Sequence, residues 1–570
     1  MEKNSVFKNK FKGFFTGFAA IFVMYTVFFN TADNALMIAK LQLSIYTCIS
    51  VLNALKIQYQ HKEVSLADIS IVKDATDVAG LFIKYLPFKK LFETLSLGAV
   101  FLLILNIVSN MHTSFVLKEL DSLYASGVAK AAACGMVIIY FLSLVKYFPV
   151  KLSAVSRLLY TSWDFIHTSF LPQKEKKLKF LYNKIEHSPL SRMDKTDILL
   201  KNYPFETAEN LDIIVIQSET FFDIKKYEDK LEKNGIKINS DINYAFNRYQ
   251  SKGIGGKFFV SAVGGGTANT EFEFLTGLSA KYFFNGGVVF SNMIKKRTDS
   301  IAHFLSEEKG FNTIAVHNYI PEFWKRNHNY PLLGFDRFYS IEDFCQKARQ
   351  NTIGKWMRDE TLFDKVTEKL EENNSKNNFV YAVTVQNHAP FVNGADEKIE
   401  MHGLSENDRT EIENYASLLK ASNHALENFM NYIDSRQKPA LVIYFGDHKM
   451  CPYYDIFQNS KYFCEKYKKN MYSTDYFMYF NPAAQMSKIA DISGIEKDIT
   501  APALGQLLRI ISGDRSKKTM FLYNLSKNID TYLDPYPDDN TYGDLYRYIS
   551  KTFINTYDYY VKLDYQKNYV

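Results

Sequence analysis

The sequence predicts an N-terminal multi-pass α-helical membrane domain followed by an α/β domain with a central, mostly parallel sheet. Three observations predict this. Long uncharged apolar runs crowd the first 150 residues. Past residue 210 they give way to short runs that are continuously apolar, β-branched or aromatic. Helical stretches separate those short runs, and strands alternating with helices indicate a parallel sheet.

In the first part, residues 13–32 form a run of 20 without a charge, long enough to cross a bilayer as a helix. A signal peptide is the alternative, but further apolar runs come after it. Residues 41–55 and 94–117 are likewise free of Asp, Glu, Lys and Arg, and 131–145 can be lengthened by Lys130 and Lys146 snorkelling outward. These make four candidate spans. A fifth, at 78–92, carries Lys84, Pro87, Lys89 and Lys90 and reads as interfacial. Lys3, Lys8, Lys10 and Lys12 put the N-terminus in the cytoplasm by the positive-inside rule. Four spans return the chain there; five put the second part outside.

Residues 1–150 are thus read as the membrane domain, 151–208 as a juxtamembrane linker, 209–545 as the catalytic domain and 546–570 as a tail packed on it. The strands expected are 211–217, 312–317, 378–385, 440–445 and 475–480; the helices include 360–372 and 409–435. Continuous apolar strands of this kind are buried on both faces. The net charge of +6 over 570 residues is mild, and no basic stripe with interleaved aromatics argues for nucleic acid. A small positive excess suits a neighbour of anionic lipid. Five cysteines, at 48, 134, 345, 451 and 464, are scattered and odd in number, so they suggest neither a disulfide scaffold nor a CxxC metal site.

Ligands bind an open α/β sheet beyond the carboxyl ends of its strands. Four strand ends here carry chemistry: Ser218 and Glu219, then His317 and Asn318, then Gln386, Asn387 and His388, then Gly446, Asp447 and His448. A polar residue at one strand end is ordinarily a turn or cap; four strands delivering carboxylates and imidazoles to one edge are a site. Glu219, Asp447 and His448 are the candidate metal ligands. Oxygen ligands with one imidazole suit Mn²⁺ or Mg²⁺, with Zn²⁺ possible. The fourth ligand should be the nucleophile, and VGGGTANTEFEFLTG (263–277) supplies Thr267 after three glycines. A helix is expected to open near Thr270, where TEFE fits a capping box, and a helix N-terminus suits a phosphate. Threonine is a poor nucleophile without metal activation. In HNYIPEFWKRN (317–327), Arg326 can grip a phosphate with two hydrogen bonds and Trp324 can wall the pocket.

Together these motifs resemble the lipoteichoic acid synthase family of membrane phosphoglycerol transferases, within the wider sulfatase-like, alkaline phosphatase group. VIQSETFFD, GGGTANTEFEFLTG, HNYIPEFWKRN, TVQNHAPF and FGDH occur in the family's order, and SLADISIVKDA (65–75) is similar to an extracytoplasmic loop of its membrane part. The resemblance implies a sulfatase/alkaline-phosphatase-like fold for the α/β domain. It maps the nucleophile to Thr267, the metal ligands to Glu219, Thr267, Asp447 and His448, and the substrate pocket to His317, Trp324, Arg326 and His388. It implies Mn²⁺, a phospholipid donor such as phosphatidylglycerol, and a glycan or teichoic-acid-type acceptor. It also implies a bacterial cell membrane with the catalytic domain extracytoplasmic, which conflicts with a count of four spans. The sequence departs from the family at Tyr319 and Pro452, where the family carries an Asp and a Ser that contact the glycerol hydroxyls. The phosphate grip is kept while the alcohol-reading contacts change.

Other readings compete. A sulfatase needs Cys or Ser in a C-x-P-x-R context, and CPYYD at Cys451 does not match. A phosphoethanolamine transferase also uses a Thr but is usually disulfide-bonded. A phosphodiesterase that transfers to water has the same residues. An inactive membrane-anchored binding protein would lack a metal ligand, and all four candidates are present.

Overall fold

In the computed structural model the described residues are 211–527, apart from 225–236, 281–287, 451–470, 487–494 and a few single positions, with isolated positions 96 and 103 besides. The four expected spans apart from Ser96 and Leu103, the linker, the tail and Pro452 lie outside them. Among the described residues no helix is long and apolar enough to cross a membrane. The chain divides into two compact units, Met1–Ile69 with Asp77–Pro172, and Ser70–Thr76 with Gln173–Val570. The second holds the α/β domain.

The centre of this unit is an eight-stranded sheet. The strands are β1 (Asp212–Ser218), β2 (Ile254–Phe259), β3 (Asn312–His317), β4 (Arg337–Tyr339), β5 (Asn378–Val383), β6 (Ala440–Gly446), β7 (Ser473–Phe480) and β8 (Ile499–Thr500), in spatial order β8-β2-β7-β6-β1-β5-β3-β4. Every pairing is parallel except those of β7, which runs against both β6 and β2. All five strands expected from the apolar runs are present. β2, β4 and β8 carry no such run and were not foreseen.

Strands β1, β5, β6 and β7 are buried along their whole length, because both faces are covered. On one face Ile213, Val215, Leu441, Ile443, Tyr476 and Met478 join a core with Phe274, Leu275, Leu504 and Leu508. On the other, Tyr444 stacks on Phe477 at 5.5 Å and Phe246 tilts against Phe477 at 5.4 Å. Alternate side chains of each strand therefore go to opposite cores, and each fully buried Ile, Leu or Phe contributes about 1.5–3 kcal/mol.

Four helices matter for the site: α1 (Thr267–Thr276), α2 (Arg326–Leu332), α3 (Asp359–Glu372) and α4 (Glu406–Ser435). Helix α1 corrects one expectation. It opens at Thr267 rather than near Thr270, and Gly266 is its N-cap. Gly264, Gly265 and Gly266 have φ of 63°, 130° and 98°, a run that L side chains rarely adopt. This turns the chain so sharply that Thr267 becomes the first helical residue. Thr270 then lies inside the helix, and its hydroxyl donates to the carbonyl of Asp447 at 2.8 Å instead of capping.

Candidate active site

β1 ends at Ser218, and the next residue, Glu219, turns inward. Thr220 comes next with φ of 48°, unusual for a β-branched residue. Three contacts hold it: its N–H donates to Asp447 Oδ1 at 2.7 Å, its hydroxyl donates to Glu219 Oε1 at 2.8 Å, and Tyr415 donates to its carbonyl at 2.6 Å. Strain of this kind persists only where surroundings over-determine it. The strained turn carries Glu219 towards the end of β6. There Asp447 Oδ1 also accepts the His448 N–H at 2.7 Å. His448 Nδ1 lies 2.9 Å from the Lys449 carbonyl, so Nδ1 carries the proton. Its Nε2 sits 3.5 Å from Glu219 Oε1 and 3.4 Å from Asp447 Oδ2. The antiparallel β7 starts at this edge, where Thr474 donates to the Gly446 carbonyl at 2.7 Å and backs the turn.

Thr267 reaches the same place from α1. Its Oγ1 donates to Glu219 Oε2 at 3.0 Å, and Gln217 holds its carbonyl at 3.1 Å. All four residues expected to gather around a metal are thus together. Donor atoms of Glu219, Asp447 and His448 lie within 4.8 Å of one another, and all three residues are buried.

The residues present fit a divalent cation. Asp447 Oδ2 is buried without a hydrogen-bond partner. Burial and the neighbouring Glu219 push the Asp447 carboxyl well above its ordinary range, despite the hydroxyl and N–H groups aimed at it. Burial works the same way on Glu219, but His388, His448 and the hydroxyls of Thr220 and Thr267 outweigh it and hold that carboxyl low. Two buried carboxylates this close ionise together most readily around a cation.

A second cluster adjoins it. Arg326 is 1% exposed and its Nε lies 3.2 Å from both carboxylate oxygens of Glu271, with Nη2 on the same carboxylate. Tyr330 donates to Glu271 Oε2 at 2.6 Å. The remaining Arg326 nitrogen, Nη1, donates to His317 Nε2 at 3.0 Å, while His317 Nδ1 donates to the Val383 carbonyl at 2.8 Å. Burial and the Arg326 charge hold His317 well below its usual pKa, in the neutral form. Trp324 is nearly buried, 5.0 Å from Phe323, with a left-handed φ of 55°. His388 packs edge-on to Trp356 at 4.8 Å. Sequence reasoning did not single out Glu271, although it stands four residues after Thr267 on the helix that the glycines introduce; the Arg326 partner that reveals its role lies 55 residues away.

The sulfatase family profile matches residues 212–507, more than half of the chain, and spans this whole site. The chain belongs to the sulfatase family. Among curated relatives, a Rhizobium meliloti protein assigned to cyclic beta-1,2-glucan modification is 31% identical over 240 residues, 42% of this chain and 35% of that one. Lipoteichoic acid synthase 1 of Bacillus subtilis is 22% identical over 247 residues, 43% of this chain and 37% of that one. The matched segments span little more than a third of those two relatives. A phosphoglycerol transferase of Streptococcus pyogenes, solved with sn-glycerol-1-phosphate, shares the fold with a TM-score of 0.52 at 21% identity, covering 66% of this chain and 92% of that one. The family resemblance read from the motifs agrees with these relatives, and the α/β domain is sulfatase-like.

Proposed function

We propose that this chain is a metal-dependent phosphotransferase. It moves glycerol phosphate, or a related alcohol phosphate, from a phospholipid to a cell-surface polymer or glycan through a phosphothreonine on Thr267. The observation that carries this reading is the 3.0 Å hydrogen bond from Thr267 Oγ1 to Glu219 Oε2, inside a buried cluster with Asp447 and His448. Glu219, Thr267, Asp447 and His448 would hold the cation, with Mn²⁺ the ion proposed. When bound, it lowers the pKa of a coordinated hydroxyl and offsets charge on phosphoryl oxygens. Glu219 keeps the hydroxyl proton pointed at a carboxylate and the oxygen lone pairs available for phosphorus. The α1 N-terminus offers N–H groups to the phosphate. Thr267 Oγ1 bonds to phosphorus as the bond to the lipid oxygen breaks, and diacylglycerol leaves with a proton. An acceptor hydroxyl then attacks the same phosphorus and frees Thr267. His317, Trp324, Arg326 and His388 form the proposed substrate pocket. Arg326 acts there largely through His317, since Glu271 already holds two of its nitrogens. The membrane anchor is assigned to the apolar runs of residues 1–150, with the catalytic domain outside the cell; that side calls for an odd number of crossings, so 78–92 joins 13–32, 41–55, 94–117 and 131–145 in the assignment.

The test is release of labelled diacylglycerol from a panel of fluorescent phospholipids by the purified full chain with Mn²⁺. Phosphatidylglycerol is the expected donor, and Thr267→Ala is expected to lose at least about 10³-fold in turnover with its fold intact. Undiminished turnover by Thr267→Ala removes the nucleophile assignment.

A further inference from the structure

Helix α1 brings a second carboxylate close to the Thr267 hydroxyl. Glu271 stands four residues after Thr267, so both lie on one face of the helix, about 6 Å apart along its axis. Glu271 is fully buried, and its carboxylate is engaged on every side. Arg326 Nε reaches both oxygens at 3.2 Å, Arg326 Nη2 adds a contact to Oε1, and the Tyr330 hydroxyl donates to Oε2 at 2.6 Å. The fork that an arginine would turn on a phosphate is here closed on a residue of the chain itself. The third guanidinium nitrogen, Nη1, donates to His317 Nε2 at 3.0 Å.

The charges of this cluster cancel. Arg326 is positive: burial opposes its charge, and carboxylates, Glu271 before Glu219, more than restore it. Glu271 supplies the matching negative charge at contact. Tyr330 stays a neutral donor, since burial and Glu271 hold its hydroxyl well above the usual range. His317, with its Nδ1 proton on the Val383 carbonyl, is neutral as well. An arginine left alone beside the metal cluster would attract every negative charge on a phosphoryl group, the second as well as the first. Cancelling that cation in a buried pocket removes an attraction worth on the order of tenfold in binding for each added charge.

We propose that Glu271 sets the substrate class of this site: by taking up the Arg326 charge it makes the pocket select the singly charged phosphodiester of a lipid headgroup over a doubly charged phosphomonoester. This deepens the phosphotransferase reading and rests on it. The selection suits both half-reactions, because the lipid donor, the intermediate on Thr267 and the transferred product are all diesters. A free headgroup monoester is held more weakly and leaves. Glu271 touches no reacting atom and works through Arg326, so it is a positioning residue.

The experiment compares two probes on the full chain in detergent, loaded with Mn²⁺. Methyl phosphate is doubly charged at about pH 8, where the second proton of a phosphomonoester is lost; dimethyl phosphate is singly charged. Broadening of each probe's phosphorus NMR signal by the bound Mn²⁺ reads its dissociation constant. The wild type is expected to bind dimethyl phosphate at least as tightly as methyl phosphate. Glu271→Gln, similar in shape and uncharged, frees the Arg326 charge and is expected to shift the ratio about tenfold towards methyl phosphate. Glu271→Asp and Tyr330→Phe disturb the same cluster but keep the carboxylate, and are expected to hold the wild-type ratio. Tighter binding of methyl phosphate by the wild type overturns the proposal without any variant, and so does absence of dimethyl phosphate binding. A ratio that Glu271→Gln leaves unchanged in a chain that still binds Mn²⁺, or that Tyr330→Phe moves as far, overturns it too and leaves Glu271 a purely structural partner. None of these readouts needs turnover, so failure of the phosphotransferase reading, seen as no diacylglycerol release, stays separate.

Discussion

Strand β1 carries a buried carboxylate at its start and delivers another just past its end, and the two are treated oppositely. Asp212, fully buried, accepts from Arg436 Nη2 at 2.8 Å, Lys438 Nζ at 2.8 Å, and the N–H and Nδ2 of Asn378 at 2.9 Å and 3.0 Å. The chain neutralises that charge with its own cations. Seven residues on, Glu219 meets another carboxylate, Asp447, and the basic groups acting on it are imidazoles. A carboxylate compensated from within is a structural bolt; a buried carboxyl pair given no cation by the chain is a receptor for one. Burying charge without compensation costs several kcal/mol, so the second arrangement persists only where it is used.

Breaking the first end is the largest expected effect on stability. Asp212→Ala strands Arg436 and Lys438 at the amino edge and is expected to cost about 3–5 kcal/mol in thermal or urea unfolding, with Mn²⁺ binding retained. If it costs nothing, the two ends are not different in kind. At the other end the expectation reverses. Mn²⁺ at a hundredfold excess over its dissociation constant should stabilise the wild type by about 2.7 kcal/mol. Asp447→Asn should lose that increment while melting no lower than metal-free wild type, since it removes a repulsion. Calorimetry with and without Mn²⁺ reads both.

Asp359 sharpens the comparison from between the two cases. It is fully buried, takes a hydrogen bond from the Ser422 hydroxyl, and has no cation in contact. Burial first, opposed by the Ser422 hydroxyl and the backbone N–H, pushes its carboxyl from 3.8 up to about 7. The folded state therefore holds a proton that the unfolded chain releases, and stability from this group is lost as pH rises towards about 7. The metal-free wild type should lose on the order of 2 kcal/mol from this source between about pH 5 and 7. Asp359→Asn should flatten that slope. An unchanged slope in the variant would assign the pH dependence to other groups.

How far the sequence carried depended on whether a signal was local. β1, β3, β5, β6 and β7 were legible because strands buried on both faces are written as unbroken apolar runs. β2 was not: IGGKFF has two glycines where apolar residues would advertise a strand. The fold requires them, since a Cβ at Gly255 would lie 2.3 Å from the Tyr476 carbonyl oxygen and one at Gly256 would lie 1.9 Å from that of Lys497. A close approach between chain segments is a tertiary fact with no local pattern. The helix opening at Thr267 escaped the sequence for a related reason. TEFE fits a capping box in any context, but Thr270 had a better partner in Asp447, 177 residues away.

By itself the sequence determined that one sheet edge would collect Glu219, His317, His388, Asp447 and His448, because parallel strands bring their carboxyl ends to one side whatever their order. It also determined that a glycine run would precede the Thr267 hydroxyl. Only the tertiary structure decided the strand order, the antiparallel β7 and the engagement of Arg326 by Glu271. Each depends on which distant segments share a neighbourhood, and burial strengthens or penalises polar groups only once that neighbourhood exists.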